Sequence, residues 1–328
     1  MKVTYQMIDK QIRIRGYIID FFVRQKSEQK FHTFLYRVQK LASLVKGINV
    51  SGLDCSEEWL TRKDGSQLRI LIYRSKKKGA ASKNLPGVLW LHGGGYALSI
   101  PEMYVARYRR LIKTRNCVVV APDYRLSTEA PYPAALEDAY LTLVWMKEHA
   151  KALGIRSDQL MVGGESAGGG LTTALTLYAR DQGTVKIAFQ MPVYPMIDDR
   201  MITESARDNN VPIWNSNTNR WAWDLYLRDM DKDNLPPYAA AARAKNYQGL
   251  PPAVTFVGNL DVFRDETIGW VERMREAGVP VDFLLVDGCY HGFDITSPRA
   301  EVSKKALEFL SESFAKAVDQ YVVAQETK

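Results

Sequence analysis

One serine lies in a glycine-rich pentapeptide whose residue types and spacing are suited to nucleophilic catalysis. Residues 164–168 read Gly-Glu-Ser-Ala-Gly and match the pattern GxSxG. The strand-like run 160–162 precedes the pattern, and the helix-forming stretch 169–175 follows it. A turn between strand and helix holds such a serine in a strained conformation beside a helix N-terminus. The sequence therefore predicts Ser166 as a nucleophile.

A serine hydroxyl is a weak nucleophile near neutral pH and needs a base to take its proton. The chain has four histidines. His32 and His149 lie in helical stretches, and His92 precedes three glycines, where we expect it to order the loop. His291 follows the last predicted strand on a loop, which suits a mobile imidazole, so His291 is the predicted base.

The base needs an acid that fixes its tautomer. Asp261 comes just after the strand-like run 253–257, where its carboxylate could reach the loop of His291. Asp265 is the nearest rival, but it lies just ahead of the helical pattern 267–277, where an N-cap or first-turn aspartate is an ordinary structural feature. We therefore expect Asp261 to be the acid, and the chain order of serine, aspartate and histidine is that of the α/β-hydrolase triad.

Three glycines follow another strand-like run, residues 88–91, in the motif His-Gly-Gly-Gly at 92–95. Ester hydrolysis builds negative charge on the carbonyl oxygen, and each preorganised amide that meets it contributes roughly 3 to 4 kcal/mol. We predict Gly93 and Gly94 as two such donors, with Ala167, the residue after the nucleophile, as the third. This chemistry requires no cofactor and no metal.

These candidate residues must be positioned by a sheet. An Asp-Gly turn at 64–65 joins two strand-like runs into a hairpin. Beyond it, short apolar runs alternate with helical stretches, which predicts an α/β fold with eight mostly parallel strands flanked by helices. The predicted strands are 57–61, 68–73, 88–91, 118–121, 160–163, 187–191, 253–257 and 282–286.

Two segments interrupt the α/β alternation. Residues 5–46 carry apolar side chains at helical spacing and predict two amphipathic helices. They either pack on the body of the protein or form a lid that covers a site or touches a lipid surface. Residues 198–240, rich in Trp and Tyr, predict a helical insertion. We therefore expect N-terminal cap helices in 1–50, a core in 51–197 and 241–328, and a cap insertion in 198–240.

Composition excludes several classes of protein. The 44 Lys and Arg residues exceed the 37 Asp and Glu residues by seven, but neither basic run, 74–78 or 107–113, alternates with aromatic residues, so nucleic-acid binding is not expected. The three cysteines form no disulfide or zinc pattern. No signal sequence or long apolar run is present, so we expect a cytoplasmic protein without stable membrane insertion. A homodimer stays open.

Together the motifs resemble the hormone-sensitive-lipase-like family of α/β-hydrolases. HGGGY and GESAGGG carry the resemblance, and Asp-Tyr-Arg-Leu at 123–126, Gly-Leu-Pro-Pro at 249–252 and His-Gly-Phe at 291–293 extend it over about residues 57–300. The resemblance implies a helical cap and a carboxylesterase of bacterial type acting on short- to medium-chain acyl esters. Two alternatives stay open, namely an amidase or deacetylase with the same triad and a silent binding protein that keeps the fold's pocket.

Overall fold

The computed structural model of the protein describes residues 1–50, 52–77 and 83–326. Eight strands form one sheet in the order β1-β2-β4-β3-β5-β6-β7-β8. The pairs β1–β2 and β2–β4 are antiparallel, and all other pairs are parallel. The strands are β1 Asp54–Thr61, β2 Gln67–Arg74, β3 Leu85–Leu91, β4 Val118–Pro122, β5 Ile155–Glu165, β6 Phe189–Val193, β7 Ala253–Gly258 and β8 Val281–Val286.

The eight strands confirm the predicted α/β-hydrolase sheet. Strands at its centre are buried throughout, which is why they appear as continuous apolar runs. The two edge strands are less buried: β1 is mostly exposed, and β8 is buried mainly at its two ends. The turn that joins β1 to β2 is closed by the Arg62 amide, which donates to the Ser66 carbonyl oxygen at 2.8 Å.

Helices flank this sheet in two groups. Helices α4 and α6 pack against each other and against β5, whereas α3 and α10 pack against each other. Helices α3 and α10 are amphipathic and turn an apolar stripe inward, whereas the first three turns of α6 are buried on all sides. The helices are α1 Arg13–Val23, α2 Glu28–Ser43, α3 Val105–Thr114, α4 Ala134–Glu148, α5 Ala150–Leu153, α6 Ala167–Gln182, α7 Ser216–Tyr226, α8 Arg264–Glu276, α9 Phe293–Thr296 and α10 Glu301–Gln320.

The insertion between β6 and β7 is less helical than its sequence predicts. Within residues 198–240, all of which the structure describes, α7 and one 3-10 turn, Lys232–Asn234, are the helical elements. Turns and irregular chain make up the remainder. Pro212 and the pair at 236–237 explain part of this, because a proline inside a helix removes a hydrogen bond and clashes with the preceding turn.

The N-terminal helices contact this insertion. The rings of Phe31 on α2 and Trp221 on α7 lie 5.7 Å apart. Asp20 on α1 accepts a hydrogen bond from the Ile213 amide at 2.8 Å. Among the residues that the structure describes, no helix is long and apolar enough to cross a bilayer.

Candidate active site

The structure brings the three predicted catalytic side chains together at the carboxyl ends of the strands. Nε2 of His291 lies 2.9 Å from Oγ of Ser166, and Nδ1 of His291 lies 2.8 Å from Oδ2 of Asp261. All three residues are buried. An imidazole held between a hydroxyl and a carboxylate can accept the hydroxyl proton while the carboxylate stabilises the charge that forms.

The turn that carries Ser166 is sharp and crowded. Ser166 has a φ of 57° between the end of β5 and the first residue of α6. Its carbonyl oxygen accepts hydrogen bonds from the amides of Gly170 and Met196. A Cβ at Gly168 would lie 2.1 Å from the Leu91 carbonyl oxygen. The first turn of α6 therefore packs against the end of β3 only because that position lacks a side chain.

The two candidate acids have separate environments. Asp261 uses its second oxygen, Oδ1, to accept from the Phe263 amide at 3.0 Å. Asp265, in the first turn of α8, accepts from the Ser205 amide at 2.8 Å and pairs with Arg264 at 2.6 Å. The rival acid thus has the structural role that its helical position predicts, and its carboxylate is already engaged.

His92 is buried and held by its own loop. Its ring stacks on Tyr124 with centroids 4.1 Å apart, and its Nδ1 lies 2.9 Å from the Gly93 carbonyl oxygen. Burial lowers the pKa of His92 to about 4, so the imidazole is neutral near pH 7. The Tyr124 hydroxyl donates to the His92 carbonyl oxygen at 2.7 Å. These contacts order the glycine loop, as the sequence indicates.

Two of the three predicted amide donors, Gly93 and Ala167, lie next to the serine. A Cβ at Gly93 would lie 3.3 Å from Cβ of Ser166, so this part of the loop is next to the nucleophile. Gly94 has a φ of 118°, a left-handed conformation that favours glycine. Ala167 is the first residue of α6, and the first amides of a helix have no carbonyl partner within it.

Aromatic side chains of the insertion cover this loop. The Trp214 ring lies 6.2 Å from the His291 ring, and a Cβ at Gly95 would lie 2.4 Å from that indole. Tyr226 on α7 stacks on Tyr96, the residue after the glycines, at 3.9 Å. The aromatic run that sequence analysis identified therefore forms one wall over the site.

A buried charge network beneath the serine escaped sequence analysis. The Arg107 guanidinium donates to Glu165 and Asp294, each at 2.7 Å. Glu165 also accepts from the Trp90 indole at 2.6 Å, and the Tyr194 hydroxyl donates to Asp294 at 2.9 Å. Burial raises the pKa of Glu165, and the positive charge of Arg107 opposes that rise.

Arg107 belongs to the basic run 107–113, which sequence analysis considered only in relation to nucleic-acid binding, and its burial was not predicted. It lies on the buried face of α3 with Tyr108, Leu111 and Ile112. Helical periodicity was the signal that could have identified it. The network joins Glu165, which precedes the nucleophile, to Asp294, which comes three residues after His291, so it fixes both catalytic loops to each other.

We expect Arg107→Leu to lower the free energy of unfolding by about 3 to 5 kcal/mol, because it leaves two buried carboxylates without their cation. Urea unfolding followed by tryptophan fluorescence measures the loss. Arg115→Leu is the matched control, since Arg115 pairs with Asp319 at the surface at 2.7 Å and exposed pairs contribute little. Equal losses for the two variants would contradict a special role for the buried network.

Comparisons with known proteins indicate the family of this chain. Residues 88–295, more than half of the chain, match the sequence model of a family that is described as having the alpha/beta hydrolase fold. The esterase LipI of Mycobacterium tuberculosis is 34% identical over 213 residues, a segment that covers 63% of this chain and 65% of LipI. An arylesterase of Saccharolobus solfataricus is 29% identical over 297 residues, which cover 88% of this chain and 90% of the relative.

A solved structure is similar over nearly the whole length. The bacterial heroin esterase superimposes with a TM-score of 0.82 at 26% identity, covering 96% of this chain and 99% of its own. These two relatives and this structure carry the names of esterases. The chain therefore belongs to the hormone-sensitive-lipase-like family of α/β-hydrolases, as its glycine loop and serine elbow predict.

Proposed function

We propose that this protein is a serine carboxylesterase that hydrolyses esters of short- to medium-chain acids through an acyl-enzyme. One observation carries the proposal: Ser166, His291 and Asp261 form a continuous hydrogen-bonded chain, with distances of 2.9 and 2.8 Å. The similarity to proteins named as esterases supports the same reaction class. No step of it calls for a metal or a cofactor.

In the first half of the reaction, Oγ of Ser166 attacks the ester carbonyl carbon and its proton passes to Nε2 of His291. Asp261 holds the imidazole in the tautomer that can accept this proton and stabilises the resulting imidazolium. The negative charge on the carbonyl oxygen is met by the amides of Gly93, Gly94 and Ala167. His291 then donates its proton to the departing alcohol, which leaves the acyl group on Ser166.

In the second half, water takes the place of the alcohol. His291 accepts a proton from the water as it attacks the acyl-enzyme, and the same three amides stabilise the second oxyanion. Collapse of this intermediate returns the proton to Oγ of Ser166 and releases the acid. The buried network of Glu165, Arg107 and Asp294 keeps the serine and histidine loops in register through both halves.

The helices of 1–50 and the insertion 198–240 act together as a cap over the core 51–197 and 241–328. Support for this division comes from the contacts between Phe31 and Trp221 and between Trp214 and the His291 ring. We expect the aromatic side chains over the site, Trp214 and Tyr226 among them, to restrict the room for an acyl chain. This restriction favours short and medium chains over long ones.

A series of p-nitrophenyl esters from acetate to palmitate tests the proposal. We expect kcat/KM to be highest for a short or medium chain and to fall by about ten- to a hundredfold for palmitate, because forcing extra methylenes into a packed site costs roughly 1 to 3 kcal/mol. Palmitate as the best substrate would reject the chain-length proposal.

Two controls separate the competing functions. The matched p-nitroanilide should be cleaved far more slowly than the ester, and faster cleavage of the anilide would favour an amidase. An organophosphate should label the protein covalently in a one-to-one ratio. Failure of both turnover and labelling would favour a silent binding protein with the same fold.

A further inference from the structure

Helix α1 has its apolar side chains on the solvent side. Its inner face carries Ile12, Gly16 and Asp20, spaced four residues apart and buried. Asp20 is satisfied there by Arg24 at 2.6 Å and by the Ile213 amide. A helix of a globular protein normally turns its apolar stripe inward and its charges outward. In α1, tertiary contacts through a glycine and a paired aspartate have reversed that arrangement.

The outward face of α1 is one continuous apolar patch. The exposed fractions are 63% for Ile14, 55% for Ile18, 83% for Phe21 and 70% for Phe22. Tyr17 and Tyr5 complete the surface, and the lip patch, as we call these residues, consists of Tyr5, Ile14, Tyr17, Ile18, Phe21 and Phe22. Large exposed apolar patches mark surfaces that bind a partner or a lipid.

The lip patch lies in the segment that accounts for the net positive charge of the whole protein. Ten of the 44 Lys and Arg residues but only three of the 37 Asp and Glu residues fall within positions 1–50, so this segment has a net charge of +7. Positions 51–328 are therefore balanced. Lys10, Arg15 and Lys26 are exposed on or beside α1, and the Arg13 guanidinium lies 4.7 Å from the Tyr5 ring centroid.

We infer that the lip patch docks on a bilayer surface rich in anionic phospholipids. Aromatic and branched side chains enter the boundary between headgroups and acyl chains, while the surrounding Lys and Arg residues meet the lipid phosphates. A second copy of the chain fits the surface less well. A two-fold dimer through this patch would place two segments of +7 against each other.

The patch is attached directly to the site. Gly16, on the inner face of α1, faces the Tyr290 ring, and the Tyr290 hydroxyl donates to the Ile12 carbonyl oxygen at 3.2 Å. Tyr290 immediately precedes His291. If α1 docks on a bilayer through its outer face, only the thickness of this helix separates the bilayer from the loop that carries His291.

Co-sedimentation with large vesicles tests the docking. The full chain should bind vesicles made of two parts phosphatidylcholine to one part phosphatidylglycerol. It should bind vesicles of pure phosphatidylcholine much more weakly. Phe21→Ser combined with Phe22→Ser should lower the partition coefficient by about tenfold or more, because two large apolar groups are lost from the interface. Raising the salt concentration should also weaken binding by screening the charges.

A matched double variant, Ile202→Ser with Val322→Ser, removes two other exposed apolar side chains and should bind as the wild type does. Ser166→Ala should also bind normally, because docking needs no turnover; this separates the docking result from the esterase proposal. Equal binding by the Phe21/Phe22 variant and the wild type would overturn the inference. A dimer in analytical ultracentrifugation that the Phe21/Phe22 variant abolishes would overturn it too, by assigning the patch to self-association.

Discussion

Replacing Ser166 by alanine is expected to lower kcat for p-nitrophenyl acetate by about a millionfold, to the level that binding and the oxyanion amides alone provide. The reason is geometric, since Oγ of Ser166 lies 2.9 Å from Nε2 of His291 and has no substitute in the variant. Steady-state kinetics with active-site titration of the wild type measures the loss. The variant should also escape covalent labelling by an organophosphate.

Ser313→Ala is a suitable control for this experiment, because Ser313 is a buried serine on α10. It should keep kcat within a factor of about two, as expected for a core residue outside the reacting groups. A Ser166→Ala enzyme that retained wild-type turnover and labelling would show that the nucleophile is a different residue. Loss of activity in both variants would point to general destabilisation.

Replacing Asp261 by asparagine is expected to lower kcat by about 10⁴-fold while leaving the fold intact. Oδ2 of Asp261 lies 2.8 Å from Nδ1 of His291 and fixes the proton on that nitrogen. The amide nitrogen of asparagine, in the same place, would donate to Nδ1 and leave the ring proton on Nε2. An imidazole in that tautomer cannot accept the proton of Ser166.

Asp265→Asn provides the matched control. Asp265 lies in the first turn of α8 and accepts from the Ser205 amide, so its substitution should change kcat by less than about tenfold. Kinetics with p-nitrophenyl acetate and thermal unfolding on both variants distinguish chemistry from stability. A larger loss of kcat in Asp265→Asn than in Asp261→Asn would reverse the assignment of the acid.

The buried charge network connects the candidate catalytic residues to helix α3 of the scaffold. Glu165 directly precedes Ser166, Asp294 comes three residues after His291, and Arg107 joins the two carboxylates through hydrogen bonds of 2.7 Å. A buried ion pair stabilises a fold weakly, but removal of one partner is costly. The arrangement therefore ties catalytic geometry to the integrity of α3, which contributes no reacting group.

Local sequence signals predicted the residues that the structure brings together at the centre of the candidate site. Glycines at 93, 94, 164 and 168 are required where backbone approaches backbone, so their pattern indicates the turns directly. Strands buried on both faces appear as uninterrupted apolar runs, and all eight predicted strands are present. The sequence favoured His291 over His92 because His92 precedes three glycines, and Asp261 over Asp265 because Asp265 lies at the start of a helical pattern.

Tertiary structure decided what periodicity could not. Spacing alone shows that α1 has two faces, but which face points inward depends on its neighbours, and contacts with Tyr290 and Ile213 turned the face with Asp20 toward the protein. In the same way, the sequence shows Arg107 only as one charge in a basic run. Its partners, Glu165 and Asp294, are distant in sequence and become visible only in the folded chain. The sequence by itself determined the strands of the sheet, the glycine loop and the turn that carries Ser166, because each leaves a local pattern of apolar or small residues. Only the folded chain decided where charges are buried and where apolar surface is left exposed, because both depend on partners that are distant in sequence.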